Sequence, residues 1–358
     1  MKASIAAIGR TMAAIIIVII ILVVAVAGVS YIYFGKSSTT TSAKINLVVA
    51  TLPIADSMPL LVAQQNGYFT QQGLNVTLDI LGTPALVNTA VEQGSAQIGL
   101  NSPTFLMSAH EQGFNLQFIA PVDAASYPSN FVLGQYIPNV GVHAIAVLSS
   151  SGIKNWTDLE GKTIGVPAVG SAQQTNLLFM LKHFGVNSST ISWSVVPYPS
   201  GVAALVEKRV DAIATLQPFI TELLMANQSG ATAGQIRIIG DDYAYGSVEM
   251  ITGMMASPTW ANANPTIVNK FNAALKEGVQ AAQSNVTLDR QMAVSQLHLN
   301  STVASQLYFP TYWSSTMPYS AIQDQINIGL EFGTLKNASD NATQIVDTTY
   351  FALGSPSS

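Results

Sequence analysis

Six short polar loops carry the residues best suited to bind a small molecule, because each lies between a predicted strand and a predicted helix. In the N-terminal half, the first such loop (residues 51–57) ends in Asp56 and Ser57, and its counterpart (residues 167–173) contains Ser171. Ser and Asp before a helix leave backbone N–H groups directed outward, which can donate to an anion or a carbonyl oxygen. Taken singly, these residues are ordinary helix caps. Six such loops converging from two halves favour a ligand site.

The other four loops form two pairs that share one offset of 115 residues. The matched residues are Gly82 and Thr83 with Pro197 and Tyr198, and Asn101 and Ser102 with Leu216 and Gln217. Asp56 falls on Ser171 at the same offset. Two lobes of similar construction, each presenting three strand-to-helix loops, are therefore expected to face each other across a cleft.

The elements that position these loops alternate between strand and helix. Apolar or alternating runs predict strands at residues 45–50, 74–81 and 96–100, and helical patterns occupy residues 59–65 and 84–93. This alternation predicts an α/β fold with a largely parallel sheet in each lobe.

No catalytic constellation is predicted. The four histidines, His110, His143, His183 and His298, are scattered along the chain, and ordinary surface or core roles are favoured for them. Gly161, Lys162 and Thr163 resemble the end of a phosphate-binding loop, but the required earlier glycine is Trp156. The chain has no cysteine, which excludes thiol nucleophiles and thiolate metal sites. We expect a non-enzyme without cofactor or metal.

The composition excludes a nucleic-acid partner. The 358 residues carry a net charge of −5 and only 9% charged residues, against about 25% in soluble globular proteins. A basic surface for nucleic acid is therefore missing. The folded part must present Ser, Thr, Asn and Gln in place of charges.

The N-terminus predicts export. Residues 13–34 form an uncharged apolar run long enough to span the hydrocarbon core as one helix, and Lys2 and Arg10 precede it, which favours a cytoplasmic N-terminus at residues 1–12. The alternative is a cleaved signal peptide, because residues 25–27 match the cleavage pattern near Ala27. Residues 35–43 then form a polar linker on the extracytoplasmic side.

Eight Asn-x-Ser/Thr sequons are a second sign of export, against roughly three or four expected by chance. A glycoprotein is one interpretation, and drift within a polar, uncharged surface is the other. The sequons begin at Asn75, Asn155, Asn187, Asn227, Asn285, Asn300, Asn337 and Asn341.

Five segments together resemble the solute-binding proteins of nitrate, sulfonate, taurine and thiamine-pyrimidine ABC importers. They are PLLVAQQNGYFTQQGLNVTL (residues 59–78), VEQGSAQIGL (91–100), SGIKNWTDLEGKTIGVPAVGS (151–171), VDAIATLQP (210–218) and ITGMMASPTWANANPTIVNKFNAAL (251–275). Each segment alone is modest, and their order and spacing carry the resemblance.

The resemblance implies a type II periplasmic-binding-protein fold whose partners are a membrane permease and a cytoplasmic ATPase. It implies a first lobe at residues 44–122 and 247–358, a second lobe at 143–240, and crossovers at 123–142 and 241–246. The family site, carried over position by position, comprises Asp56, Ser57, Thr83, Ser102, Ser171, Gln173, Tyr198, Gln217 and Tyr243.

Two points leave the solute and the activity open. The family commonly has an acidic residue where this chain has Gln217 before Pro218, which weakens any solute carried over from it. The same family includes pyrimidine synthases of thiamine biosynthesis, whose histidine- and cysteine-rich features this chain lacks. An exported synthase-like enzyme and a ligand-sensing receptor are the alternatives to a transport protein.

Overall fold

The computed structural model describes residues 44–127, 130–138, 141–228, 235–243, 248–313, 316–337 and 339–354. The predicted membrane-spanning segment at residues 13–34 and the polar linker at 35–43 lie outside these ranges. Among the described residues, no helix combines the length and the apolar character needed to cross a membrane.

A six-stranded sheet forms what we call the first lobe, together with the helices packed on it. Numbered along the chain, its strands are β1 (Ile45–Thr51), β2 (Leu74–Ile80), β3 (Ile98–Asn101), β4 (Gln117–Ser126), β10 (Val248–Ala256) and β11 (Thr311–Tyr312). Their order across the sheet is β11-β4-β10-β3-β1-β2. The predicted strands at the start of the chain are thus present with their limits shifted by one or two residues.

A five-stranded sheet forms the second lobe. It contains β5 (His143–Leu148), β6 (Thr163–Val166), β7 (Ser192–Val195), β8 (Ala212–Leu216) and β9 (Ile236–Gly240), in the order β7-β6-β8-β5-β9. The order repeats that of the first lobe, with β6, β7 and β8 in the places of β1, β2 and β3. The 115-residue offset therefore relates equivalent strands.

Each sheet is mixed, whereas the sequence predicts largely parallel sheets. β1 pairs in parallel with β2 and β3, but β10 runs antiparallel to both β3 and β4. In the second lobe, β6 pairs in parallel with β7 and β8, and β5 runs antiparallel to β8 and β9. β5 and β10 are the strands at which the chain enters a new sheet, so their direction follows from the exchange between lobes. The two-residue β11 also runs antiparallel to its neighbour β4.

The chain passes from the first sheet to the second between Ser126 and His143, and it returns between Gly240 and Val248. β4 extends beyond residue 123, where the sequence predicts the crossover to begin, because β10 pairs with it as far as Ser126. The residue limits assigned to the two lobes stay a prediction.

Twelve α-helices of the described residues cover the sheets. They are α1 (Met58–Gln65), α2 (Tyr68–Gln71), α3 (Pro84–Glu92), α4 (Pro103–Glu111), α5 (Ala172–His183), α6 (Gly201–Val206), α7 (Phe219–Gln228), α8 (Pro258–Ala263), α9 (Pro265–Ser284), α10 (Val286–Ser295), α11 (Ser301–Gln306) and α12 (Ser320–Glu331). Proline is the first residue of α3, α4, α8 and α9. It is tolerated there because the first helical N–H has no intrahelical acceptor.

The core of the first lobe also takes up side chains from the second. Tyr198, Leu216 and Phe219 are buried and pack with the apolar residues around β1, β3 and β10. Apolar burial of this kind stabilises contact between the lobes. The structure is therefore a closed arrangement of the two lobes.

Most of the sequons have a structural role as helix caps. The Asn side chains of Asn155, Asn187, Asn285, Asn300 and Asn341 each accept a hydrogen bond from a backbone N–H at the start of a helix. Helix capping is a physical reason for asparagine at these positions, and it is independent of both chance and glycosylation. Glycosylation stays a prediction.

Replacing Asn300 with alanine is expected to lower the free energy of unfolding by about 1 kcal/mol. The Asn300 Oδ1 accepts the Thr302 N–H at 2.8 Å at the start of α11. Asn300→Asp keeps an acceptor while removing the sequon, so its free energy of unfolding should stay within a few tenths of a kcal/mol of the wild type. Urea unfolding of protein made without glycosylation measures both, and equal losses in the two variants would contradict the capping role.

Candidate functional site

A small cavity lies between the lobes, where the carboxyl ends of strands meet the first turns of helices. Its volume is about 20 Å³, enough for about one water molecule. Residues from both lobes line it: Leu52, Ile54, Asp56, Pro84, Asn101, Ser102, His143, Ser171, Ala172, Gln173, Tyr198, Leu216, Tyr243, Ile251 and Thr252. The cleft is closed to any solute larger than water in this conformation.

Six of the nine residues predicted for the site line this cavity. Three loops of the first lobe were expected to contribute, and two of them do so through Asp56 and Ser102. The second lobe contributes Ser171, Gln173 and Tyr198, and Tyr243 comes from the returning crossover. The structure therefore brings together residues that lie up to 187 positions apart in the sequence (243 − 56).

The other three predicted residues lie outside the cavity lining. Ser57 is buried, with its hydroxyl bonded to Thr51 Oγ1 at 2.8 Å and to the Leu52 carbonyl at 2.7 Å. Thr83 caps α3 by accepting the Leu86 N–H at 3.4 Å. Ser57 thus stabilises the first loop. Thr83 caps a helix, which is the alternative role considered for these residues from the sequence.

Gln217 joins the lobes through its backbone. Its carbonyl accepts the Ala55 N–H at 3.0 Å, and its side-chain Oε1 accepts the Thr221 hydroxyl at 2.9 Å. The amide side chain therefore points to its own helix, α7, while the peptide links the second lobe to the loop that carries Asp56.

The second-lobe wall of the cavity is held by a short chain of contacts. Ser171 Oγ accepts the Gln174 N–H at 3.3 Å and so caps α5. Gln173 Nε2 donates to the Tyr198 hydroxyl at 3.1 Å, and the Tyr198 ring stacks on Phe219 with centroids 6.1 Å apart. Burial raises the pKa of Tyr198, so its hydroxyl is neutral. The wall presents a fixed aromatic ring beside an amide.

Asp123 is a functional candidate that sequence reasoning missed. It is fully buried on β4, where its Oδ1 accepts the Thr252 N–H at 2.9 Å and the Thr252 hydroxyl at 2.6 Å. Burial raises the pKa of Asp123 well above its ordinary value, and the nearby Asp56 charge adds to the rise. Burial likewise raises the pKa of Asp56.

His143 lies in the cavity wall, although no sequence pattern singled it out. It is 1% exposed, its ring centroid lies 4.1 Å from that of Tyr243, and its Nδ1 lies 3.7 Å from Asp242 Oδ2. Burial lowers the pKa of His143, but the Asp242 carboxylate and the charges of Asp241 and Asp56 outweigh burial and leave the pKa raised.

Asp241 and Asp242 complete what we call the acidic cluster, formed by Asp56, Asp123, Asp241 and Asp242. Asp241 accepts the Tyr127 hydroxyl at 2.8 Å and the Tyr243 N–H at 2.9 Å. Burial, followed by the Asp242 charge, raises the pKa of Asp241 to about 7. An isolated acid within an apolar strand, as at Asp123, was the one sequence signal that could have indicated this cluster.

Further contacts between the lobes lie away from the cavity. Thr175 Oγ1 and Thr334 Oγ1 are 3.0 Å apart, and Lys182 forms an exposed ion pair with Glu331. Ion pairs of this kind contribute little stability because solvent screens them. The buried apolar contact and the Ala55–Gln217 bond therefore hold the lobes together more than the surface charges do.

Within the described residues, no group of three or more His, Asp or Glu side chains is arranged to hold a metal ion. No lysine or arginine lines the cavity. The polar groups available for a solute are carboxyls, amides, hydroxyls and one imidazole.

Residues 54–285 match the family model described as NMT1/THI5 like. The chain belongs to the NMT1/THI5-like family. The matched range contains every residue that lines the cavity except Leu52. Membership of this family agrees with the resemblance that the sequence motifs indicate. The NMT1/THI5-like chain has the α/β periplasmic-binding-protein fold with two sheets.

Similar proteins carry both kinds of name, binding protein and synthase. The alkanesulfonate-binding protein SsuA from Xanthomonas axonopodis pv. citri, bound to MOPS, has a TM-score of 0.69 and 16% identity, covering 87% of this chain and 100% of that one. The nitrate-binding protein NrtA from Synechocystis PCC 6803 has a TM-score of 0.67 and 12% identity, covering 84% and 85%. At these identities the likeness shows the fold alone.

A curated relative is named as an enzyme. The 4-amino-5-hydroxymethyl-2-methylpyrimidine phosphate synthase THI11 of Saccharomyces cerevisiae is 25% identical over 242 residues, which are 65% of this chain and 65% of the yeast protein. The chain thus spans less than two thirds of that relative's length.

Proposed function

We propose that this chain is the solute-binding component of an ABC importer, which captures a small molecule and delivers it to a membrane permease served by a cytoplasmic ATPase. The observation that carries the proposal is the cavity closed between two lobes and lined by polar residues of both. Each lobe alone offers only part of a solute's contacts, so binding energy that spans both sides favours the closed state.

Delivery to a permease requires that the protein work outside the cytoplasm. In the proposal, residues 13–34 anchor the chain to the extracytoplasmic face of the membrane, or the chain is secreted after cleavage near Ala27. The solute classes implied by the resemblance are nitrate, sulfonates, taurine and thiamine-pyrimidine precursors. The proposed ligand-binding set for this role comprises the six predicted residues that line the cavity, with His143 added from the structure: Asp56, Ser102, Ser171, Gln173, Tyr198, Tyr243 and His143.

A synthase-like enzyme is the second candidate function, and His143 is the observation that favours it. A buried imidazole beside carboxyls in a cavity is a common arrangement for proton transfer. His143 lies 3.7 Å from Asp242 and lines the same cavity as Asp56. A binding protein would release its solute unchanged, whereas a synthase would convert it.

The test is mass spectrometry of small molecules released from the full-length protein after purification under native conditions. We expect one solute at close to one per chain, whose mass is unchanged after prolonged incubation with fresh protein. The Ser171→Leu variant, purified in parallel, should carry none of it. Conversion of the solute above a heat-inactivated control would favour the enzyme, and a chain that never retains a solute would contradict the transport role.

A further inference from the structure

We infer that the cleft takes a solute whose buried end is positively charged, such as a protonated primary amine or an amidinium. This inference rests on the proposed function, because it names the class of solute that the same cavity binds. Three observations support it. The charged groups around the cavity are mostly acidic, some buried polar atoms lack a hydrogen bond, and several backbone N–H groups near the cavity are already bonded to side chains.

The charges around the cavity are predominantly acidic. Asp56 lines it directly, Asp123 contacts Asp56 behind the wall, and Asp241 and Asp242 lie on the returning crossover beside Tyr243. One imidazole, that of His143, faces these four carboxyls. Charge buried to this degree is stable only when it is paired or neutralised.

Two buried polar groups here lack a hydrogen bond among the described residues. Asp242 is fully buried, and neither of its carboxylate oxygens has such a partner. His143 is 1% exposed and lines the cavity, and its Nδ1 lies 3.7 Å from Asp242 Oδ2, so these two groups pair by charge without a hydrogen bond. Buried polar atoms are rarely left in this state, so each indicates a missing partner. The carboxyls around the cavity outnumber the imidazole, and a cationic solute would balance that excess.

Protonation of the buried acids is an alternative to pairing with a cation. Burial raises the pKa of both Asp56 and Asp123, and the Asp56 charge adds to the rise at Asp123, which favours a proton on this pair. An ammonium group bound at Asp56 would allow the pair to ionise. The Tyr198 and Tyr243 rings that line the same space provide aromatic faces, which attract cations.

An anionic solute finds few free donors in this cavity. α3 and α4 both begin with proline, which has no N–H to donate. The Leu86 N–H is bonded to Thr83, and at α5 the Gly170 and Gln174 N–H groups are bonded to side chains of that helix end. Several of the backbone donors that a sulfonate or nitrate would use are therefore absent or already bonded.

The experiment compares three probes of one shape on the full-length protein: benzylammonium, benzyl alcohol and benzenesulfonate. Calorimetry should give at least tenfold tighter binding of benzylammonium than of benzyl alcohol, and no binding of benzenesulfonate at millimolar concentration. In Asp56→Asn, the preference for benzylammonium over benzyl alcohol should fall about tenfold. Asp79→Asn, at an exposed acid on β2, is the matched control and should keep the full preference.

The wild-type comparison needs no variant, so it stands even if Asp56→Asn folds poorly. Tight binding of benzenesulfonate, or equal binding of the three probes, would overturn the charge assignment and leave solute binding intact. Failure of all three probes to bind at millimolar concentration would overturn the charge assignment alone, because the proposed function is tested separately by the solute that co-purifies with the protein. An undiminished preference in folded Asp56→Asn would overturn the role given to Asp56.

Discussion

Replacing Ser171 with leucine is expected to weaken solute binding about 100-fold, or about 2.8 kcal/mol, while folding stability falls by only about 1 kcal/mol. Ser171 is 1% exposed and lines a cavity of about 20 Å³. The added carbons of leucine have no room there when the lobes are closed. Because the closed state supplies contacts from both lobes, blocking closure removes those of one lobe.

Ser171→Ala is the matched control for this prediction. It removes the same cap on the Gln174 N–H without adding bulk, so it should lose similar stability but keep affinity within a few-fold. Calorimetry with the solute identified by mass spectrometry measures affinity, and small-angle X-ray scattering of the solute-free variants measures closure. Equal affinity of the two variants would mean that Ser171 acts only as a cap.

The free energy of unfolding is expected to fall as pH rises from about 5 to 8. The Glu249→Gln variant should lose much of this pH dependence. Glu249 is 3% exposed on β10 and its Oε2 has no hydrogen bond among the described residues. Burial, followed by the Asp324 charge, raises the pKa of Glu249 to about 9. In the unfolded chain a glutamate ionises near pH 4.3.

The sign follows from which state holds the proton. Between the unfolded and folded pKa values the folded protein keeps a proton on Glu249 that the unfolded chain has lost, so stability declines by up to about 1.4 kcal/mol per pH unit. Burial also raises the pKa of Asp241 to about 7 and that of Asp289 to about 8, which acts in the same direction. The raised pKa of His143 acts in the same direction, because the stability contributed by its protonated imidazole is lost as pH rises.

Denaturant unfolding at several pH values measures this slope. The Glu249→Gln slope should be shallower than the wild-type slope by about 1 kcal/mol per pH unit. Glu160→Gln, at an exposed turn, is the control and should leave the slope unchanged. A Glu249→Gln slope equal to that of the wild type would show that Glu249 is ionised in the folded protein.

Local sequence signals were enough to predict the loops and several wall residues. Three wall residues lie after a strand and before a helix: Asp56, Ser102 and Ser171. The order of predicted strands and helices, together with helix-capping residue types, indicates such positions. The same signals also selected Ser57, whose hydroxyl bonds within the first loop, and Thr83, which caps its own helix. In the sequence, these residues look the same as those that face the cavity. Which caps face the cavity depends on how the two lobes close.

The acidic cluster was not predicted, because it is assembled by pairing between distant strands. Asp123 contacts Thr252 through the β4–β10 pairing, and His143 meets Tyr243 only when both crossovers are in place. The mixed direction of the sheets was missed for the same reason. Strand direction at the crossovers depends on how the chain passes from one lobe to the other. The hydrophobic periodicity of a single segment does not indicate that path.

Closure of the two lobes over the cavity has a kinetic consequence. A space of about 20 Å³ leaves no passage for a solute, so every capture and every release must pass through an opened form. The rate at which the lobes open therefore sets an upper limit on the rate of solute exchange.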